Sequence, residues 1–311
     1  MRTPAPETTR KQPGRLSRAA QRDQRRFYLF ILPWLIGFVL FQAGPMLFAI
    51  GISFTDWLLV DTPVWRGLAH YRTMRSDAAF HAALRNTLYY SAASVPLAIA
   101  LSLGLALLLN RRWAGMSVFR TIFFVPSLVS GVAVVLVWGW LFNPRYGAVN
   151  GLLGSLGLPQ PGWLSDPRWA MPTIILLGVW SVGGIVVVYL AGLQNVPTEL
   201  YDAARIDGAG RWQMLRAITL PMVSPVTFFL MVMVTIGSLQ VFAPVYVLTE
   251  GGPRNATLTL PLYIYQNAFR FQKYGYAAAL TVVLIVIALA LTLLQLALAR
   301  RWVYYTGWSG R

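Results

Sequence analysis

The sequence predicts an all-α integral membrane protein with six membrane-crossing helices, and three observations carry that prediction. Of 311 residues, 57% are hydrophobic and 12% charged, a balance too apolar for one soluble core of this size. Six stretches free of Asp, Glu, Lys, Arg and His each reach the ~20 residues that a helix needs to cross the hydrocarbon core. Lys and Arg stand between those stretches rather than in them, so the formal net charge of +16 reads as a topology signal and not as a nucleic-acid footprint. Cys is absent and His occurs twice, which excludes disulfides, thiolate sites and a His-rich metal site.

Residues 1–26 carry Pro, Thr, Gln and eight basic side chains but too few apolar ones to build a core, so a mostly disordered cytoplasmic tail is expected, ending in a short basic surface helix. The membrane domain is expected over 27–301, with spans at about 27–52, 86–109, 121–142, 171–193, 222–248 and 277–299, and a cytoplasmic tail over 302–311. In hydrocarbon each backbone N–H and C=O must be paired within the segment, which favours helices for runs of this length. The first span is too long for a signal sequence and is not closely followed by a small-residue cleavage site, so it is read as retained. Pro33, Pro45, Pro96, Pro126, Pro225 and Pro244 fall inside spans, where each removes a backbone donor. With the N-terminus inside, the cytoplasmic segments hold 17 basic residues against 9 on the other side, which supports both termini in the cytoplasm.

None of the six spans holds Asp, Glu, His, Lys or Arg. Proton relays and membrane-embedded catalysis need such groups, so energy for uphill transport is expected to enter from elsewhere. The interior does carry neutral polar and aromatic residues: Asn86, Tyr89, Tyr90 and Ser91, then Trp138 and Trp140, Trp180 and Tyr189, and Ser238, Gln240 and Tyr246. They suit a polyhydroxylated neutral solute, held by hydrogen bonds at its edges and by stacking of its C–H faces on rings. The competing reading makes the aromatics interfacial belts and the polar groups glue between helices. An enzyme would have to draw on the loop carboxylates Asp56, Asp61, Asp77, Asp166 and Glu250, which are scattered without metal-ligand spacing. No catalytic residue and no metal site are predicted.

The most informative stretch is the loop after the fourth span, Pro197 to Pro221. Thr198 can cap a short helix whose first turns hold Glu199 and Asp202, acids that favour the positive end of the helix dipole. Gly208 and Gly210 then end it. A second amphipathic piece places Trp212, Leu215 and Ile218 at helical spacing, and Pro221 is expected to open the fifth span, where its missing N–H costs nothing. Ala203 and Ala204 form a smooth knob able to enter a groove on a partner.

This loop resembles the EAA motif of the membrane permeases of binding-protein-dependent ABC importers: Glu-Ala-Ala, three residues, Gly, nine residues, Ile, one residue, Leu-Pro. Asp202-Ala203-Ala204, Gly208, Ile218, Leu220 and Pro221 fall in register, with Asp202 in place of Glu. Ser53 to Trp57, Leu84 to Tyr89, Phe119 to Pro126, Leu141 to Gly147 with Asn150, Leu248 to Pro253 and Tyr263 to Phe269 are similar to sugar-uptake permeases of the maltose and glycerol-3-phosphate type. The resemblance implies a coupling helix seated in a cleft of a cytoplasmic ATPase. It further implies a second permease subunit, usually a different chain, two ABC ATPase subunits that bind ATP and Mg²⁺, an extracytoplasmic solute-binding protein, and a place in a bacterial inner membrane among its lipids. The chain has no Walker-type sequence, so no nucleotide cofactor is expected on it. The alternative is an ATP-independent carrier or channel that acts alone.

Overall fold

The structure is a computed structural model that describes residues 18–58, 62–111, 113–129 and 131–304, with side chains from Arg26 onward. Asp61, the tail up to residue 17 and the C-terminal tail from residue 305 fall outside the described residues. The chain divides into two units, Met1–Gly51 and Ile52–Arg311.

In the first unit, α1 (Arg18–Phe38) starts within the predicted tail and passes through a π turn, Val39–Ala43, into α2 (Gly44–Ile52). Pro45 has no N–H to donate. The chain answers by widening the turn just before it, so that the Gly44 N–H reaches back five residues to the Val39 carbonyl.

The second unit opens with a two-stranded antiparallel ribbon, β1 (Thr55–Asp56) on β2 (Val64–Trp65), which hydropathy gave no hint of. α3 (Ala69–Met74) leads into α4 (Ala78–Leu109). Next come α5 (Met116–Phe124), a short 3₁₀ turn at Val125–Leu128, α6 (Gly131–Leu141) and α7 (Ala148–Ser155). α8 (Pro167–Trp180) and α9 (Gly183–Gln194) precede α10 (Thr198–Ile206) and α11 (Arg211–Met214). A π turn, Leu215–Thr219, joins α11 to α12 (Leu220–Leu239), followed by α13 (Ala243–Leu248), α14 (Leu260–Tyr265) and α15 (Tyr274–Ala299). Among the described residues, Arg26–Ile52, Ala78–Leu109, Arg211–Leu248 and Tyr274–Ala299 are long and apolar enough to cross a membrane. Two bent pairs, Met116–Leu128 with Gly131–Leu141 and Pro167–Trp180 with Gly183–Gln194, qualify if each pair counts as one span.

Several elements differ from expectation, among them the third expected span, which is the bent pair Met116–Leu128 with Gly131–Leu141, and the fifth, which is interrupted between Leu239 and Ala243. The second helix begins at Ala78 rather than near residue 86, because Asp77 caps it there and residues 78–85 continue the helix beyond the apolar run. The fourth expected span is two helices meeting at 46° around Ser181 and Val182. Pro221 does not open a separate helix: the amphipathic piece is continuous with the fifth span, and the π turn ahead of Pro221 lets the Leu220 N–H reach the Leu215 carbonyl.

α4 is the central strut and packs against α8, α9 and α12. Its buried face carries Thr87, Ser91, Ser94, Ala98 and Ser102 at helical spacing. Ser91 Oγ meets Ser238 Oγ of α12 at 2.6 Å, while Ala98 shares a cavity wall with Val234, so the two helices run antiparallel.

The N-terminal end of α4 is stitched down by polar groups. Asp77 Oδ1 accepts from the backbone N–H groups of Ala79 and Phe80 at 2.9 and 3.2 Å, and Oδ2 accepts from the hydroxyls of Tyr263 and Tyr276 at 2.6 and 2.5 Å. One carboxylate therefore joins α4, α14 and α15. Asn86 Nδ2 donates to the carbonyls of Asn255 and Leu258 at 2.7 and 3.0 Å, and the Leu260 N–H donates to Thr87 Oγ1 at 2.8 Å. Burial pushes the Asp77 carboxyl up, but the two tyrosine hydroxyls and two backbone N–H groups favour the anion and hold it below the ordinary carboxylate value. Tyr263 is pushed up to about 12, by burial and then by its bond to that carboxylate.

A carboxyl held low in the fold adds stability that is complete above its unfolded value and is lost as pH falls through the folded value. Asp77→Ala removes the cap and the tyrosine acceptor together, so it is expected to cost at least about 1 kcal/mol at neutral pH. Thermal unfolding of the detergent-solubilised chain, followed from pH 7 to pH 3, should fall more steeply for the wild type than for the variant.

Candidate functional site

Two places gather the residues singled out from the sequence. One is a cavity of about 230 Å³ at the break between α8 and α9, walled also by α4 and α12. Breaks in membrane helices free backbone groups and are tolerated where they line a cavity. Tyr90 and Ser94 come from α4, Ser181 from the break itself, and Ser238 from the end of α12. Ser238 Oγ donates to the Thr235 carbonyl at 2.8 Å while paired with Ser91. Ser94 is 5% exposed and its hydroxyl has no hydrogen-bond partner among the described residues. A buried hydroxyl without a partner costs free energy unless something entering the cavity meets it. Gly178 lets Tyr90 lie against α8: a Cβ there would stand 2.6 Å from the tyrosine oxygen but 3.7 Å from the ring carbon bearing it.

Of the candidate path residues, the cavity takes in Tyr90 and Ser238 and leaves the others elsewhere. Asn86 is occupied in the loop clamp, and Tyr89 is 53% exposed. Trp138 stacks on Phe142 at 5.0 Å and meets Trp180 edge-on at 5.8 Å, both lining an apolar groove of about 510 Å³. Tyr189 is fully buried, Gln240 is exposed at the end of α12, and Tyr246 stacks on Phe242 at 5.3 Å. Ser94 and Ser181 did not figure among the sequence candidates. The signal for Ser94 was present: it follows Tyr90 by one helical turn and precedes Ala98 by another, on the small-residue face of α4.

The second place is α10, at the end of the bundle away from Asp77. No α10 side chain is buried. Glu199 lies in its first turn, Asp202 pairs with Arg205 at 2.9 Å on the exposed surface, Ala203 is exposed and Ala204 half-buried. Thr198 is the first helical residue and makes no capping bond, because Pro197 holds the cap position. The C-terminus closes on Gly208 at φ +76°, with the Gly208 N–H on the Arg205 carbonyl and the Ala209 N–H on the Ala204 carbonyl at 3.1 and 2.8 Å. Gly210 starts the next piece, its N–H bonded to Gln213 Oε1 at 2.7 Å. Ile218 is half-buried inside the π turn, and Leu220 and Pro221 follow it. The other loop carboxylates are apart and engaged: Asp56 with Arg66, Asp166 with Arg168 and Glu250 with Arg270.

Residues 95–304 match the family described as binding-protein-dependent transport system inner membrane component. The chain is 39% identical over 258 residues to the probable ABC transporter permease protein YesP of Bacillus subtilis, covering 81% of this chain and 83% of that one. It is 37% identical over 251 residues to the lactose transport system permease protein LacF of Rhizobium radiobacter, covering 78% and 83%. Among solved structures it resembles a chain of a bacterial alginate ABC transporter in complex with an alginate pentasaccharide-bound periplasmic protein, with a TM-score of 0.80 and 29% identity over 93% of this chain and 98% of that one.

The close approach of Tyr90 to Gly178 gives a reciprocal test of the cavity wall. Gly178→Ala is expected to destabilise the purified chain by about 1–3 kcal/mol through overpacking. Tyr90→Phe in the same chain should recover most of the loss in thermal unfolding, since the clash is with the hydroxyl alone.

Proposed function

The chain belongs to the family of inner-membrane components of binding-protein-dependent transport systems, as a multi-pass permease of the ABC type, and from that premise we propose that it is one of two permease subunits of an ATP-driven importer of a sugar or related polyol. In this reading four long helical stretches and two bent pairs make six spans, α10 and both termini lie in the cytoplasm, and the Asp77 end faces outward. The 17-to-9 bias of basic residues supports that orientation. Two cytoplasmic ATPase subunits bind ATP and Mg²⁺ and do the hydrolysis, and an extracytoplasmic binding protein delivers the solute.

The observation that carries the proposal is α10: a solvent-exposed helix with the Asp202-Ala203-Ala204 knob, closed at Gly208 and spaced from Ile218, Leu220 and Pro221 as the EAA motif requires. Closure of the ATPase pair presses on this helix, and the bundle rocks between outward-open and inward-open states. The saccharide class is supported by the relative named for lactose and by the likeness to an alginate importer. The hydroxyls of Tyr90, Ser94, Ser181 and Ser238 both donate and accept, which suits a hydroxyl-rich solute. At about 230 Å³ the cavity is below the ~300–1,000 Å³ of a complete ligand pocket, so it forms part of the path and the second permease supplies the facing wall.

Purification through a tag on this chain is expected to bring down an ATPase and a second permease, and vesicles holding that complex should take up solute only with ATP and the binding protein. Uptake by this chain alone without ATP would overturn the reading in favour of an autonomous carrier. Ala204→Trp should insert normally yet abolish uptake, because the bulky ring cannot enter the ATPase groove; transport at the wild-type rate would remove α10 from the mechanism.

A further inference from the structure

α10 is poorly attached to the rest of the protein. It has no buried side chain, and it is joined at its far end by Gly208-Ala209-Gly210, with Gly208 in the left-handed region. Among the described residues, one side-chain hydrogen bond leaves α10 for another element: Tyr201 Oη to Thr219 Oγ1, at 3.0 Å. Thr219 is buried and is the last residue of the π turn at the foot of α12. Either hydroxyl can donate in this pair, and when Tyr201 donates, the Thr219 proton can reach the Met214 carbonyl at 3.4 Å. The result is a relay from Tyr201 through Thr219 to Met214, which bridges the widened turn and ties α10 to both α11 and α12. The Tyr201 ring also packs against the edge of the hydrophobic core.

We propose that Tyr201 is the positioning residue that transmits displacement of α10 to α12, by way of Thr219 and the π turn. This rests on the reading of α10 as the ATPase-coupling helix. A push on a helix held only by a glycine link and a backbone turn would be absorbed in those links. The hydroxyl tie makes the push act on the foot of α12 instead. α12 carries Ser238 at its other end, in the wall of the polar cavity. The π turn is the place where such a push can be taken up, because its hydrogen bonds span five residues and can return to the α register by a one-residue shift. Tyr201 touches neither solute nor nucleotide in this scheme. Its effect lies in coupling rather than in binding or assembly.

The test uses the assembled transporter in vesicles and reads ATP hydrolysed per solute taken up. Tyr201→Phe keeps the ring and deletes the hydroxyl, and is expected to raise that ratio about fivefold, the factor that one neutral hydrogen bond carries. Tyr201→Ala, which loses the ring as well, should raise it further. Thr219→Val should match Tyr201→Phe, while Thr219→Ser, which keeps the hydroxyl, should retain the wild-type ratio. Subunit stoichiometry after purification and the solute concentration for half-maximal uptake are expected to stay unchanged in Tyr201→Phe and Thr219→Val. A wild-type ratio in both of these variants would overturn the proposal, as would loss of assembly in both. Absence of ATP-dependent uptake in the wild-type complex would instead count against the coupling-helix reading itself.

Discussion

Hydrocarbon offers no water to take up an open backbone group, and much of what is irregular in this chain is an answer to that constraint. Pro225 cannot donate to the Pro221 carbonyl, and the Ser224 hydroxyl does so in its place at 2.6 Å while accepting the Tyr304 N–H at 2.8 Å. Ahead of Pro45 and of Pro221 the helix widens by one residue, so that Gly44 and Leu220 reach carbonyls five residues back. Hydroxyls elsewhere in the helices fold onto carbonyls of their own turn, as Thr87, Ser102 and Thr235 do. Against that pairing, Ser94 Oγ, Tyr189 Oη and Gln295 Oε1 are buried without a partner among the described residues; of these Ser94 lines the cavity, and the break at Ser181 beside it is the kind of interruption that membrane helices tolerate where something other than lipid is present.

The two ends of the long helices are built differently. At the start of α4, Asp77, Asn86 and Thr87 hold the stretch from Asn255 to Tyr276, over 160 residues away in sequence, and most of the bonds are made by buried or half-buried groups. Such a cluster resists change, because removing any one partner leaves others desolvated and unpaired. At the opposite end α10 keeps all its side chains at least partly exposed, and among the described residues its side-chain ties to the bundle are the packing of the Tyr201 ring and one hydroxyl bond. Local opening is cheap where few apolar contacts are buried and costly where polar networks are closed. A firm end and a loosely held end on the same helices are what a rigid-body rocking motion would need, with the pivot near the firm end.

The membrane class, the places of the apolar helices and the α10 loop were legible in the sequence, because each depends on local pattern: runs without charge, basic flanks, and a glycine where the chain must turn left-handed. The breaks were not. Hydropathy counts how long the chain stays apolar and is blind to direction, so a run interrupted at Ser181 reads the same as a straight one. The role of Asn86 was missed for a related reason: its partners, the carbonyls of Asn255 and Leu258, lie over 160 residues away in sequence, and no local pattern encodes them. Trp138 and Trp180 look equally suited to stacking on a solute or on each other. Only the fold shows that they meet each other, along an apolar groove.

The chemistry of the interior and the mechanics of the exposed loop explain one another. The cavity is lined by four hydroxyl-bearing side chains, two glycines and aliphatic residues, groups that hold no charge at any physiological pH, and the predicted spans contain no Asp, Glu, His, Lys or Arg through which a proton gradient could act. Under the proposed function, such a site would bind a neutral solute by hydrogen bonds whose strength changes little unless the walls move. Any difference in affinity between its two sides must then come from geometry, as walls that approach or part. Geometry can be driven from a distance only through a stiff connection. In this chain α12 is the element that reaches from the cavity wall at Ser238 to the π turn beneath α10. A neutral site and a mechanical input are therefore two consequences of one choice, the exclusion of charge from the membrane interior.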